Sequence, residues 1–164
     1  MNNKTKQAVF AGGCFWGVEH LMQKVPGVLD VQSGYTGGTA VNPSYEQVKT
    51  GTTGHFEAVR ITYDPTQTDY ETLAKLFFEI HDPTQIDGQG PDIGSQYRSA
   101  IFYVNNEEKK TAEKLIRILE QKGYRVATQV LPLGTFWSAE EYHQNYYVRK
   151  GTEPYCHVRV KRFD

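Results

Sequence analysis

Short apolar segments separated by glycine and proline run along the chain, and their spacing predicts alternating strands and helices. Apolar and polar positions alternate from Phe56 to Tyr63, which is typical of a strand that is buried on one face. Residues 15–25 and 107–122 instead carry apolar side chains at helical spacing, and Gly123 suits the end of the second helix. The chain therefore combines strands and amphipathic helices.

The remaining segments complete a β-α-β, short helix, β-α-β, α-β, α order. Strands are predicted over 8–11, 28–35, 97–104 and 124–133, helices after the capping patterns at 44–47, 68–71 and 138–141, and a long loop over 82–96. The middle of this order is typical of a split βαβ arrangement. We expect an α+β fold: an α/β two-layer sandwich with a ferredoxin-like core, whose mixed sheet has helices mainly on one face.

Length and charge limit the classes of function. The chain has 164 residues and a net charge of -1, so one domain spanning 1–164 is expected, without the basic excess that attracts nucleic acid or anionic lipid. The first apolar run is too short for a secretory signal, and no run has the length of a membrane span. We expect a soluble, cytoplasmic monomer with a mobile tail from about residue 152.

The two cysteines are the first candidates for chemistry. Cys14 follows Gly12 and Gly13 at the predicted start of a helix, where unpaired amides and the helix dipole favour a thiolate. Gly13 would also let a substrate approach the backbone closely. The alternative is that Cys14 is a small buried apolar residue. Cys156 lies near the end of the chain, where a second thiol could form a disulfide with an oxidised Cys14 or could be idle.

Aromatic and acidic residues favour the catalytic interpretation of Cys14. Phe15 and Trp16 would lie beside the thiol and could hold a methyl group or thioether, although core packing is the default for such side chains. Glu57 shares a strand face with apolar residues, so we expect a raised pKa and a role as general acid, unless it reaches solvent at the strand end. His55 could be its partner or a surface residue.

Three further polar residues are weaker candidates, because loops beside a rigid sheet often carry site residues. They are Tyr45, Asp92 and Tyr97. Metal binding is a further alternative, since five histidines are present, but no Cys-x-x-Cys or His-x-x-x-His spacing appears and we expect no metal.

Six ordered blocks of the sequence resemble the A-type peptide methionine sulfoxide reductases. They are Gly12-Gly13-Cys14-Phe15-Trp16-Gly17; Gly34-Tyr35-Thr36-Gly37-Gly38 with Asn42-Pro43-Ser44-Tyr45; Thr53-Gly54-His55-Phe56-Glu57; His81-Asp82-Pro83-Thr84; Gln89-Gly90-Pro91-Asp92 with Gly94-Ser95-Gln96-Tyr97-Arg98-Ser99-Ala100-Ile101; and Phe136 with Ala139-Glu140 and Tyr142-His143-Gln144. The resemblance runs from about residue 8 to 157.

The resemblance implies a reaction and a set of roles. Cys14 would be the nucleophile and Cys156 the resolving cysteine. Phe15 and Trp16 would hold the substrate methyl group, and Glu57 would protonate the sulfoxide oxygen, surrounded by Tyr45, Asp92 and Tyr97. Family members act on the S epimer of free or peptide-bound methionine sulfoxide and are usually recycled by thioredoxin. We therefore expect an external dithiol reductant and no cofactor.

Three departures from the family pattern stand out. Phe56 replaces a more common Ala, Asp87-Gly88 replaces Asn-Arg, and Glu153-Pro154 replaces a glycine-containing stretch before Tyr155-Cys156, which affects the reach of that thiol. Two other functions are compatible with part of this pattern. A thiol peroxidase would share the sulfenic acid and resolving thiol, and a methionine-binding module would not need Cys14. An inert structural domain is the third alternative.

Overall fold

The chain forms a mixed β-sheet with surrounding helices. The computed structural model describes residues 5–144, 146–150, 157 and 159–163. Its strands are β1 (Lys6–Gly12), β2 (Val28–Thr36), β3 (Phe56–Tyr63), β4 (Gly88–Gln89), β5 (Asp92–Ile93), β6 (Ser99–Tyr103), β7 (Gln129–Pro132) and β8 (Trp137–Ser138). Its helices are α1 (Phe15–Met22), α2 (Tyr45–Lys49), α3 (Tyr70–Ile80), α4 (Asn106–Gln121) and α5 (Tyr146–Lys150), with single 3₁₀ turns at Ser95–Tyr97 and Glu141–His143.

Six of the described strands form one sheet in the order β7-β6-β1-β3-β2-β8. Neighbours are antiparallel except for β6 and β7, which are parallel. Strand β3 lies between β1 and β2, and β1 lies between β3 and β6. The units β1-α1-β2 and β3-α3-β6 are therefore interleaved split βαβ units, and the predicted α+β, ferredoxin-like class is confirmed.

Each face of the sheet has its own apolar layer. On one face, Phe10 and Ile61 pack with Phe77 of α3 and Leu115 of α4, all fully buried. On the other face, buried side chains such as Phe102 are covered by the irregular chain around Phe136 instead of by a helix. Helices thus lie mainly on one face, as the alternation in β3 predicts. The helix face is also the one that receives Phe15, the residue after Cys14.

Two predicted elements were too long. Helix α1 ends at Met22 instead of residue 25, because Pro26 disfavours helical backbone at the residue before it and Gly27 has a φ of 94°. The strand predicted over 124–133 is confined to β7. The Tyr124 amide instead donates to the carbonyl of Leu119 and closes α4, and the segment then binds the loop after α3.

Four other predictions around turns were wrong in detail. Ser138 does not cap a helix: it lies in β8, and the predicted helix is divided into the 3₁₀ turn at Glu141–His143 and α5. The cap of α3 is Asp69, whose carboxylate accepts from the Thr72 amide. Strand β6 begins at Ser99, because Tyr97 belongs to a 3₁₀ turn. The predicted loop contains the small β4–β5 hairpin.

The end of the chain is only partly described. Residues 151–156 and 158, and with them Cys156 and most of the predicted mobile tail, lie outside the described residues. The single-domain organisation over 1–164 stays a prediction. None of the described helices is both long and apolar enough to cross a membrane.

Replacement of Phe10 by Ala should destabilise the fold strongly. The ring is fully buried and stacks on Phe77 with centroids 4.9 Å apart. Loss of its burial and the cavity left behind should lower the free energy of unfolding by about 3–5 kcal/mol. Leu29→Ala is the control, because Leu29 is 58% exposed and its loss should change stability by less than about 0.5 kcal/mol. Denaturant unfolding of both variants measures the difference, and equal effects would contradict this packing.

Candidate active site

Cys14 lies at the junction between the central strand β1 and helix α1. It is the N-cap residue of α1, as predicted, and only 7% of it is exposed. The junction is crowded: a Cβ at Gly13 would lie 2.5 Å from the Cβ of Gln89, and one at Gly17 would overlap the imidazole of His157. Gly13 also has a φ of 95°, a conformation that other residues rarely adopt. The glycines therefore let three segments meet beside the thiol.

Glu57 is fixed next to this junction by a backbone hydrogen bond. It lies in β3 opposite Tyr35 of β2, and it is 1% exposed. The amide of Phe15 donates to Glu57 Oε1 over 3.2 Å, while Oε2 has no hydrogen-bond partner among the described residues. Burial raises the pKa of Glu57 to about 8, against the opposing effect of the Phe15 amide. The protonated form of Glu57 is therefore favoured at neutral pH.

Two tyrosines lie close to Cys14 and Glu57. Tyr45 begins α2, and Tyr97 ends the 3₁₀ turn before β6. Burial, followed by the charges of Glu57 and Cys14, raises the pKa of the Tyr97 hydroxyl well above its usual value, and the same groups act on Tyr45 together with Tyr97. Both phenols therefore keep their protons and can donate hydrogen bonds.

Asp92 belongs to the same group of residues. It lies in β5, in the hairpin before Tyr97, and its charge acts on Glu57, Tyr97 and His157. Its negative charge helps to raise the pKa of Glu57. The structure thus brings together the four side chains that the sequence suggested around Cys14, although they come from four separate segments.

The two residues that follow Cys14 belong to a cluster of aromatic side chains, here called the aromatic wall. Phe15 and Trp16, from the first turn of α1, lie 6.4 and 6.2 Å from the Tyr45 ring. Trp16 stacks on Tyr146 of α5 at 3.7 Å, and its indole N–H donates to His143 Nδ1 over 3.1 Å. His143 must therefore be an acceptor at Nδ1, and burial lowers its pKa accordingly. The stacking on Tyr146 and the hydrogen bond to His143 together fix the orientation of the Trp16 indole.

Glu140 fixes the position of Tyr45. One carboxylate oxygen accepts from the Tyr35 hydroxyl and the other from the Tyr45 amide, both at 3.0 Å. These bonds lower the pKa of Glu140, which opposes the effect of burial, so this carboxyl stays ionised while Glu57 does not. Two buried or half-buried acids thus have opposite protonation states at neutral pH.

The hydrogen bonds described for His55 hold a loop in place and do not involve Cys14. Its Nδ1 accepts from the Gly38 amide over 3.1 Å, and its Nε2 donates to the Ala40 carbonyl over 2.7 Å. Both nitrogens are thus used by the segment that leads to Tyr45. A direct substrate contact of His55 stays a prediction, as does the close approach of substrate to the Gly13 backbone.

The site also contains residues that the sequence did not single out. Glu140, His143 and Tyr146 position the predicted residues, and Gln89 and His157 pack against Gly13 and Gly17. Part of a signal was present, because Glu140 and His143 lie in a stretch that resembles the family. Gln89 likewise begins a stretch that resembles the family, whereas no local pattern marked His157. Within the described residues, no group of three or more His, Cys, Asp or Glu side chains is placed to hold a metal.

Comparison with known proteins identifies the family to which the chain is similar. The family model described as peptide methionine sulfoxide reductase matches residues 6–164. A relative named peptide methionine sulfoxide reductase MsrA, from Nautilia profundicola, is 51% identical over 150 residues, which are 92% of this chain and 87% of the relative. A relative of the same name from Sulfolobus acidocaldarius is 47% identical over 161 residues, which are 95% of this chain and 92% of the relative.

Solved structures agree in fold. Reduced Mxr1 from Saccharomyces cerevisiae superposes with a TM-score of 0.88 at 34% identity, covering 98% of this chain and 93% of that chain. Because the family model spans nearly the whole sequence and relatives near 50% identity match along it, the chain belongs to the peptide methionine sulfoxide reductase family.

Proposed function

We propose that this chain reduces the S epimer of methionine sulfoxide, free and in oxidised proteins, with Cys14 as nucleophile and Glu57 as acid. The observation that carries the proposal is the buried Glu57 carboxyl, which accepts from the Phe15 amide at the start of α1, beside Cys14, and whose pKa is raised by burial to about 8. A thiol can displace oxygen from a sulfoxide only if the oxygen is protonated as it leaves. Glu57 is a proton donor of suitable pKa at that place.

In the first half of the reaction, the Cys14 thiolate attacks the sulfoxide sulfur. Glu57 gives its proton to the sulfoxide oxygen, and the oxygen moves from the substrate sulfur to the Cys14 sulfur as the new bond between the two sulfurs breaks, so methionine is released and Cys14 becomes a sulfenic acid. Tyr45 and Tyr97 donate hydrogen bonds to the oxygen as charge develops on it. Both phenols have raised pKa values and so remain donors throughout. Asp92 helps to keep Glu57 protonated before the attack.

The aromatic wall provides the methyl pocket. Phe15 and Trp16 offer ring faces, which attract a thioether and its methyl group. The contacts of Trp16 with His143 and Tyr146 fix the indole before substrate arrives, so little side-chain entropy is lost on binding. This wall distinguishes the proposed reductase from a thiol peroxidase, which would have no use for a methyl pocket.

In the second half, Cys156 attacks the sulfenic sulfur of Cys14. The S–S bond forms, the S–O bond breaks, and the hydroxyl leaves as water with the proton of the attacking thiol. An external dithiol protein, thioredoxin, then reduces the disulfide; the yeast relative Mxr1 has been crystallised in complex with Trx2. The reaction needs no metal or organic cofactor. Cys156 enters through the resemblance of its sequence context, since it lies outside the described residues.

The remaining expectations fit this chemistry. A dithiol-recycled enzyme works in a reducing compartment, so we place the chain in the cytoplasm, acting as a monomer whose residues 1–164 form a single catalytic domain. Its partners are oxidised proteins and peptides, free methionine sulfoxide and thioredoxin. Binding to nucleic acid or membrane is not part of the proposal.

Reduction of separated epimers tests the reaction. With dithiothreitol as reductant, wild type should convert the S epimer of a blocked methionine sulfoxide and leave the R epimer, and Cys14→Ser should convert neither. Cys156→Ser should still release about one methionine per enzyme in the absence of reductant, because only the second half is lost. Chromatography of the product measures all three. Absence of S-epimer turnover, with reduction of peroxide instead, would favour the peroxidase.

The pH profile tests Glu57. Because the acid must be protonated, turnover should fall as the pH rises through about 8, the pKa of Glu57. Glu57→Gln should lower turnover by about 100- to 10,000-fold and remove this decline, because an amide is not a useful proton donor.

Glu108→Gln is the matched control for Glu57→Gln. Burial also raises the pKa of Glu108, which lies in the first turn of α4 and accepts a hydrogen bond from the Val104 amide. Val104 follows the end of β6, whereas the start of β6, at Ser99, pairs with Gly12 near Cys14. Glu108 is therefore remote from the candidate active site. Its replacement should leave the pH profile of kcat unchanged. A decline near pH 8 that survives in Glu57→Gln would show that another group supplies the proton.

A further inference from the structure

His157 is a buried imidazole that the reaction described so far does not use. It is 3% exposed, and its Nε2 donates to the carbonyl oxygen of Gly12 over 2.7 Å. Gly12 is the last residue of β1, two positions before Cys14. The imidazole also packs on Gly17 of α1, where a Cβ would overlap Nδ1, and it lies within 3.4 Å of the Cβ position of Gly13. The end of the chain thus contacts both sides of the Cys14 junction.

The contact with Gly12 requires a hydrogen on Nε2 of the His157 imidazole. The Gly12 carbonyl is only an acceptor, so Nε2 must donate. Burial lowers the pKa of His157, and the hydrogen bond to Gly12 and the charge of Asp92 oppose that effect. A neutral side chain at this place makes a fixed, uncharged attachment. It adds no cation beside Cys14 that would favour one protonation state of the thiol.

A second attachment follows directly in the sequence. The buried carboxylate of Glu79, at the end of α3, accepts from Nε and Nη2 of Arg159 at 3.0 and 2.8 Å. Its other oxygen accepts from the amides of Arg162 and Phe163 at 3.0 and 3.3 Å. The amide of Val160 donates to the Glu79 carbonyl. The chain after position 158 is therefore held on α3, and His157 is the attachment on the Cys14 side.

We propose that His157 is a positioning residue for the second half of the reaction: by binding the Gly12 carbonyl and filling the space over Gly17, it holds the chain so that the thiol of Cys156 meets the oxidised Cys14. Cys156 is the residue before His157, and neighbouring α-carbons lie about 3.8 Å apart. Because His157 is bound to Gly12, two positions before Cys14, it raises the effective concentration of the Cys156 thiol at Cys14. The inference rests on the proposed function.

The proposal also explains a requirement for glycine at position 17. A helix interior normally disfavours glycine relative to alanine. Here a methyl group would displace His157, because the imidazole occupies the space where it would lie. Gly17 and His157 therefore act as a pair: the absence of a side chain on α1 makes room for the side chain that attaches the end of the chain.

Two substitutions of His157 separate its hydrogen bond from its volume. His157→Gln keeps an amide that can donate to the Gly12 carbonyl, and His157→Leu keeps apolar volume without a donor. Reduced, reductant-free enzyme is mixed with one equivalent of the S epimer of a blocked methionine sulfoxide. Released methionine is measured by chromatography, the Cys14 sulfenic acid by dimedone labelling, and the disulfide by intact mass after alkylation of free thiols.

We expect His157→Leu to release methionine within about two-fold of the wild-type rate, to form the disulfide at least about 10-fold more slowly, and to accumulate sulfenic acid. His157→Gln should form the disulfide within about three-fold of wild type. Equal disulfide rates in wild type and His157→Leu would overturn the proposal. So would an equally slow His157→Gln, or a loss of methionine release in His157→Leu, which would place the role of His157 in the first half.

Gly17→Ala tests the same contact from α1, and remains informative if His157→Leu does not fold. It should slow disulfide formation more than methionine release. The double variant Gly17→Ala with His157→Leu should be no slower than the slower single variant, because both remove one contact; additive slowing would contradict the pairing. Wild type that releases no methionine would instead refute the proposed function itself, so the two failures are distinguishable.

Discussion

The hydrogen bond from the Phe15 amide to Glu57 is the interaction on which the site depends. It joins the first turn of α1 to the middle of the sheet, so the nucleophile and the acid are held by one rigid connection. Helix α1 follows the central strand β1, and Glu57 lies on β3, the strand hydrogen-bonded beside it. The relative position of Cys14 and Glu57 is therefore set by sheet register and not by loop conformation. The tyrosines and Asp92 are arranged around this pair by loops.

The same bond shows which of two opposing effects governs the protonation of Glu57. An amide donor stabilises the carboxylate and lowers its pKa, whereas removal of the side chain from water stabilises the neutral acid. Burial is the larger effect here, since one backbone donor replaces only part of the lost hydration. Glu140 shows the reverse balance: it is less buried and receives two donors, and its pKa is lowered. The number of donors and the depth of burial thus separate the proton donor from the positioning carboxylate.

Local patterns were sufficient for the part of the site that lies on regular elements. Alternation in β3 placed Glu57 on the buried face, and Gly12-Gly13 before a helical pattern placed Cys14 at an N-terminus. The predictions that failed concern segments whose conformation is set by contacts with distant parts of the chain. Strand β8 has two residues and no periodicity, and it exists because β2 offers an open edge. Residues 124–128 have strand-like composition but bind the end of α4 and the loop after α3 instead of the sheet. His143 and His157 could not be assigned contacts, because their partners lie more than 100 positions away.

The contact between Gly12 and His157 has a consequence for the synthesis of the protein. It joins residues 145 positions apart, so it cannot form until His157 has left the ribosome. Contacts of such long sequence separation also form late in folding, since loop closure must come first. Cys14 emerges early, but its surroundings are completed only by residues that are made much later. A nascent chain that has not reached residue 157 therefore has Cys14 without its His157 contact, so the proposed guidance of the second thiol begins only after that residue has been made.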